Sequence, residues 1–158
     1  MKKIIISTLF GIIICSCSNK NPKEIPNEVI VIVELVKNKD KSEKELKKFT
    51  KRYSDYVKST EPNTLGWTYH DAGDKIILIE RYKDEDANII TAKNISPGGN
   101  RYKLLQESFD YHSLEKVTVI GGFTQKLVDF NKMTAEKVGF TAPFLYYPLI
   151  SGYSKNLK

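Results

Sequence analysis

The chain has 158 residues, 41% of them hydrophobic and 28% charged. That composition excludes a collagen-like, low-complexity or wholly disordered protein and fits one compact domain. A chain of this length buries about two-thirds of its unfolded surface, so it needs no disulfide or metal to hold a core. The net charge of +6 is uneven: residues 1–18 carry +2 from Lys2 and Lys3, residues 19–60 hold eleven basic and seven acidic side chains, and residues 61–158 hold twelve of each.

Met1-Lys2-Lys3 is a basic head, followed by an apolar stretch from Ile4 to Ile14 broken only by Ser7, Thr8 and Gly11. About 18 apolar residues are needed to span a bilayer, so the stretch reads as the core of a signal peptide. Ile14-Cys15-Ser16-Cys17 resembles the bacterial lipoprotein box, with an aliphatic residue at −3, a small residue at −1 and then the lipidated cysteine. Cys17 fits that role; Cys15 does not, because bulky Ile14 precedes it. The expected organisation is a signal peptide over 1–16, a polar tether over 17–26 containing Pro22 and Pro26, and a folded domain over 27–158. The domain is then exported and lipid-anchored to a bacterial membrane, on the periplasmic face or the cell surface. Both cysteines lie in the N-terminal segment, so residues 18–158 offer no disulfide, thiolate nucleophile or Cys metal ligand.

Val29 to Val36 is apolar on both parities, the pattern of a strand covered on both faces. Ser42-Glu-Lys-Glu45 has capping-box spacing and opens a helix to about Lys58. Its apolar stripe is Leu46, Phe49, Tyr53, Tyr56 and Val57, and lysines occupy its other side. Strands over Leu65–His70 and Lys75–Tyr82 are joined by the turn Asp71-Ala-Gly-Asp74. Acidic Asp84-Glu-Asp86 begins a helix to about Asn94, and Ser96-Pro-Gly-Gly99 breaks the chain. Asn100 caps a helical segment to about Tyr111. Val117–Ile120 is a short strand, and Thr124 starts a last helix with Leu127, Phe130, Met133 or Thr134, and Val138 inward. Gly139 ends that helix, and Phe140–Tyr153 is an extended arm.

This order is the split βαβ, ferredoxin-like pattern: an α+β fold with a four-stranded antiparallel sheet and helices on one face. In the Lys75–Tyr82 strand, Ile76, Leu78 and Tyr82 share one side while Ile77 and Ile79 share the other. A second apolar face needs a cover, and a second copy of the sheet is the simplest one, so a homodimer is expected.

The turn and strand Glu61-Pro-Asn-Thr-Leu-Gly-Trp67, the strand Ile77-Leu-Ile-Glu-Arg-Tyr82 and the helix Asp86–Asn94 together resemble the antibiotic-biosynthesis-monooxygenase-like (ABM) domain of the dimeric α+β barrel superfamily. The resemblance covers about residues 29–125, and the tail Tyr146–Tyr153 is similar to that of some members. Asn63 stands where the family favours Gly, and Thr91 where its helix often carries His; Asn94 matches. In some members the resemblance implies cofactor-independent oxygenation of quinol- or anthrone-like aromatics, in others haem degradation. Oxygenation without metal or flavin is chemically reasonable because an electron-rich phenolate itself reduces O₂. The protein supplies a dry aromatic pocket, a proton acceptor and donors for the developing oxyanion.

The candidate catalytic residues are His70, as base, and Asn94, as donor to a substrate oxygen. Trp67, Tyr69 and Tyr82 are the candidate substrate-binding residues. Trp67 and Tyr69 share one strand face, with His70 opposite; the plain alternative is two core aromatics and a surface histidine. Asn94 equally suits a helix cap. Glu80 and Arg81 have opposite parities, so they cannot both face one pocket, and either is expected to form a dimer salt bridge instead. His112, at a helix end, is a minor catalytic candidate. Two distant histidines without cysteine lack the make-up of a structural zinc site, and the lysines of 37–58, interleaved with acidic residues, describe a solvated helix face rather than a nucleic-acid surface. The partners expected are a second copy, a membrane and a small aromatic or hydrophobic ligand. A non-catalytic ligand-binding or structural lipoprotein of the same fold is the competing reading.

Overall fold

The computed structural model describes residues 27–152. The expected signal peptide, Cys17 and the expected tether, together with the last six residues, lie outside the described residues. Nine elements follow in order: β1 (Val29–Lys37), α1 (Glu43–Thr60), β2 (Thr64–Ala72), β3 (Lys75–Tyr82), α2 (Glu85–Ile95), α3 (Tyr102–Ser108), β4 (His112–Gly121), α4 (Gln125–Val138) and β5 (Phe144–Pro148). No helix among them is long and apolar enough to cross a membrane.

β1 forms the centre of the sheet because its β-branched run tolerates neighbours on both edges. It pairs antiparallel with β3 and with β4, in the sheet order β2-β3-β1-β4-β5. The sheet is therefore five-stranded and mixed, not four-stranded and antiparallel. The fifth strand comes from the expected C-terminal arm, whose Phe144–Pro148 stretch pairs parallel with β4. Its alternation of half-buried Phe144 and Tyr146 with exposed Leu145 and Tyr147 is that of a strand covered on one face.

Four helices cover one sheet face. Val29, Val31, Val33 and Leu35 of β1, Ile76, Leu78, Glu80 and Tyr82 of β3, and Val117 and Val119 of β4 point into that layer and are buried. α1 begins as its sequence requires: Ser42 Oγ accepts from the Glu45 amide at 3.3 Å, and the Ser42 amide donates to Glu45 Oε2 at 2.9 Å. Its buried stripe is Leu46, Phe49, Tyr53 and Val57.

Three local expectations are corrected. α3 is one short helix, Tyr102–Ser108, preceded by Arg101 rather than capped by Asn100. β4 begins at His112, not Val117, because the strand continues past a bulge at Glu115, where the register moves from Glu34↔Lys116 to Leu35↔Leu114. α4 turns Leu127, Asn131 and Thr134 inward and leaves Met133 39% exposed. Its end at Gly139, with φ of +85°, is as expected.

The opposite sheet face carries Ile30, Ile32, Ile77, Ile79, Ile120, Leu145 and Tyr147, all half-buried or exposed. The register places Ile79 beside Ile32 and Ile30 beside Ile120 and, one strand on, Tyr147.

Candidate functional site

Between the sheet and the helices lies a pocket of about 130 Å³. Val31, Val33 and Leu35 of β1 form its floor, Trp67 and Tyr69 of β2 and Glu80 of β3 one wall, and Asn88 and Thr91 of α2 with Asn131 and Thr134 of α4 another. Phe109, which is exposed, and half-buried Phe140 also line it, and their rings meet edge to face at 6.2 Å, which makes them its rim. An engineered apolar cavity of about 150 Å³ admits benzene, so this volume takes an aromatic ring, and the pocket is open to solvent for anything longer.

A buried charge cluster stands at the Trp67–Glu80 end. Arg101, 1% exposed, reaches in from the residue before α3. Its guanidinium lies 4.9 Å from the Trp67 ring centre and 5.5 Å from that of Tyr53, and these two rings stack at 5.6 Å and 12°. Glu61, 6% exposed, approaches Arg101 Nη1 at 3.2 Å without hydrogen-bond geometry. Glu61 is instead held by the Thr91 hydroxyl and by Asn94 Nδ2 at 3.2 Å. Gly99 permits this arrangement: a Cβ there would stand 2.4 Å from the carbonyl oxygens of Lys93 and Asn94. The chain can therefore fold back on α2, and the Arg101 amide donates to the Asn94 carbonyl at 2.8 Å.

Glu80 is the second buried carboxyl, 9% exposed and opposite Trp67 and Val31 in register. Tyr82 donates its hydroxyl to Glu80 Oε2. Burial pushes the Glu80 pKa up to about 7; Tyr82 and Arg101 pull it down and Glu61 pushes it up by smaller amounts. Burial also raises the hydroxyl pKa of Tyr53 to about 12 and that of Tyr69 further still, so both stay protonated near neutrality. The pocket thus pairs a carboxyl able to take or give a proton near pH 7 with a fixed cation and aromatic walls.

The sequence-expected residues divide. Trp67 and Tyr69 line the pocket. His70 lies on the other sheet face, exposed, with Nε2 3.0 Å from Thr68 Oγ1, so it does not share a compartment with them. Asn94 does not line the pocket; it is a positioning residue for Glu61 and Arg101, and the C-cap of α2 is Ser96. Tyr82, 0% exposed, stands behind Glu80 rather than in the pocket wall. For Glu80 the expected dimer salt bridge is also corrected. Glu80 is internal, and Arg81 pairs with Glu28 of the same chain, Nη2 to Oε1 at 2.6 Å.

Glu80 and Arg101 escaped sequence reasoning. For Glu80 the signal was present: it shares the parity of Ile76, Leu78 and Tyr82. Arg101 had only its position after a Pro-Gly-Gly break. His112 is not at a helix end but inside the layer, 6% exposed, and burial pushes its pKa down to about 4.

Among the described residues, the buried side-chain nitrogen and oxygen atoms without a hydrogen-bond partner belong to Trp67, Asn88, Arg101 and His112. All four line this pocket. Such groups concentrated in one cavity mark a place where a polar ligand or ordered water supplies the missing bonds.

No protein-family model matches the chain, and no curated protein matches it significantly. Among solved structures it is similar to that of MupZ from Pseudomonas fluorescens, with a TM-score of 0.58 and 16% identity over 82% of this chain and 96% of that one. The likeness is one of fold.

Proposed function

We propose that the chain is an ABM-like protein that binds a small quinol-like aromatic and oxygenates it without a cofactor. The observation that carries this reading is a buried carboxyl, Glu80, with its pKa at about 7, in one aromatic-lined pocket with the Arg101 guanidinium. Glu80 takes the phenolic proton, and Arg101 stabilises the phenolate in a site where water is scarce and charge interactions are strong. The phenolate then reduces O₂. For hydroquinone the balance is one quinol and one O₂ giving hydroxybenzoquinone and one water; the substrate supplies four electrons, and one oxygen atom enters the ring. Trp67 and Tyr69 flank the ring. Asn94 acts through Glu61 and Arg101 rather than by touching substrate, and His70 takes no part.

The test is oxygen consumption with a panel of hydroquinones. Wild-type protein consumes one O₂ per quinol, and Glu80→Gln, which keeps the bond from Tyr82, loses this activity while His70→Ala retains it. Binding without oxygen consumption would move the reading to a ligand-sequestering module.

Two further parts of the proposal concern assembly and address. The apolar face around Ile30, Ile32, Ile79 and Ile120 packs on the same face of a second copy, which the isologous geometry of a two-fold dimer permits; sedimentation equilibrium then reads twice the monomer mass. Cys17 carries the lipid that holds the protein on the exported side of a membrane, and Cys17→Ser releases it into the soluble fraction.

A further inference from the structure

The polar groups left open in the pocket do not all stand at the charge cluster. Glu80 is opposite Val31 in the sheet register, whereas Leu114 is opposite Leu35 and His112 opposite Lys37. At about 3.3 Å per residue, the floor from Val31 to Leu35 already runs about 13 Å. His112 therefore stands at the far end from Glu80 and Arg101, in the stretch of chain that also brings Ser108, Phe109 and Leu114 to the pocket.

Both ring nitrogens of His112 are buried without a well-formed hydrogen bond, the nearest partner being the residue's own backbone. Its aromatic neighbour is Phe49, edge to face at 6.3 Å, which offers neither donor nor acceptor. A neutral imidazole carries one donor and one acceptor, and leaving a buried polar group unpaired costs about 1–3 kcal/mol. A histidine that served only as core filler would be better replaced by an apolar ring. An open donor and acceptor at one end of an aromatic pocket whose other end takes a hydroxyl describe a site for a molecule with two polar ends.

We infer that His112 reads a second hydrogen-bonding group on the ligand, so that the natural ligand is an elongated hydroxyaromatic whose side chain ends in a hydroxyl or carbonyl, not a simple phenol. The inference rests on the quinol-binding reading of the pocket. It assigns His112 as a specificity residue that touches the remote end of the ligand, away from the reacting carbon. The rim, where Phe109 is exposed beside half-buried Phe140, gives the longer molecule a way in.

Trp67 is the chain's only tryptophan and lines the pocket, so its fluorescence reports occupancy. The full-length chain is titrated with ω-(4-hydroxyphenyl)alkanols of two to six side-chain carbons, each paired with the 4-alkylphenol in which a methyl replaces the terminal hydroxyl. The expected result is a preference for the alkanol, relative to its isostere, that peaks at one chain length. His112→Leu lowers that preference about tenfold or more at the peak, the size of one buried hydrogen bond. His112→Gln, which keeps a donor and an acceptor, retains much of it. If His112→Leu leaves the alkanol-to-alkyl ratio unchanged at every length while both series bind, the inference falls and the quinol reading stands. If neither series perturbs Trp67, both fall. A lost response in His112→Leu from misfolding is separated by circular dichroism, and the wild-type length series then decides alone: a flat series overturns the inference.

Discussion

Arg101→Met is expected to destabilise the domain by about 3–5 kcal/mol, the usual consequence of removing one partner of a buried ion pair. Arg101 and Glu61 have side chains only 1% and 4% exposed, so neither charge finds water when the other is removed. The methionine fills comparable volume but leaves Glu61 with the bonds from Thr91 and Asn94 and no cation. The stacking of the guanidinium on Trp67 and Tyr53 is lost as well. Adding Glu61→Gln to Arg101→Met should recover most of the loss, because the pair then leaves no unpaired charge. Urea unfolding of the wild type, the single variants and the double variant measures this. A loss below about 1 kcal/mol for Arg101→Met would mean that solvent reaches the pair.

The second large effect concerns pH, and it is concealed in the wild type. The Glu80 pKa is raised from 4.5 to about 7, so its contribution to stability is complete below pH 4.5 and is lost as pH rises through 7. In that window the unfolded chain has released a proton that the folded chain keeps. The His112 pKa is lowered from 6.5 to about 4, so its contribution is complete above pH 6.5 and is lost as pH falls through 4. Each is worth roughly 3 kcal/mol at about 1.4 kcal/mol per pH unit. In the shared window the two slopes oppose each other and nearly cancel. Glu80→Gln should uncover the histidine, with stability rising by roughly 3 kcal/mol from pH 4 to 6.5; His112→Leu should uncover the carboxyl, with stability falling by a similar amount from pH 4.5 to 7. Comparison with wild type removes the common background of exposed carboxylates such as Asp71, whose pKa Lys37 lowers. Parallel curves for all three proteins would contradict these environments.

How far the sequence speaks depends on whether the signal is local. The capping box of Ser42 and Glu45, the stripe of α1 and the left-handed stop at Gly139 are decided within a few residues, and they were readable as such. The parity of β2 was equally plain and set His70 opposite Trp67 and Tyr69, but it did not say which face is inward, so His70 stood as the candidate base. β5 was not readable, because a strand joined by a parallel edge pairing depends on where β4 leaves its last free edge. His112 was misplaced for a related reason: the bulge at Glu115 breaks the alternation that would have carried β4 back to it. The partnership of Arg101 with Glu61 is beyond sequence reading altogether. Forty residues separate them, and the contact exists because Gly99 lets the chain fold back onto the end of α2. Glu80 is the instructive case, since its parity was legible while its charge argued for the surface; the Tyr82 hydroxyl and the nearby guanidinium make its burial tolerable.

The central claim is that the pocket draws the proton from a hydroxyaromatic onto Glu80 while Arg101 holds the anion. Difference absorption with 4-hydroxyacetophenone tests it most directly, at about pH 7.5, below that ligand's own pKa and above that of Glu80. The account predicts that wild-type protein shows the red-shifted band of the bound phenolate, and that Glu80→Gln, whose amide stands in for the protonated carboxyl beside Arg101, keeps that band but no longer consumes oxygen with hydroquinones. A neutral spectrum in the wild type, or oxygen consumption that persists in Glu80→Gln, would contradict it.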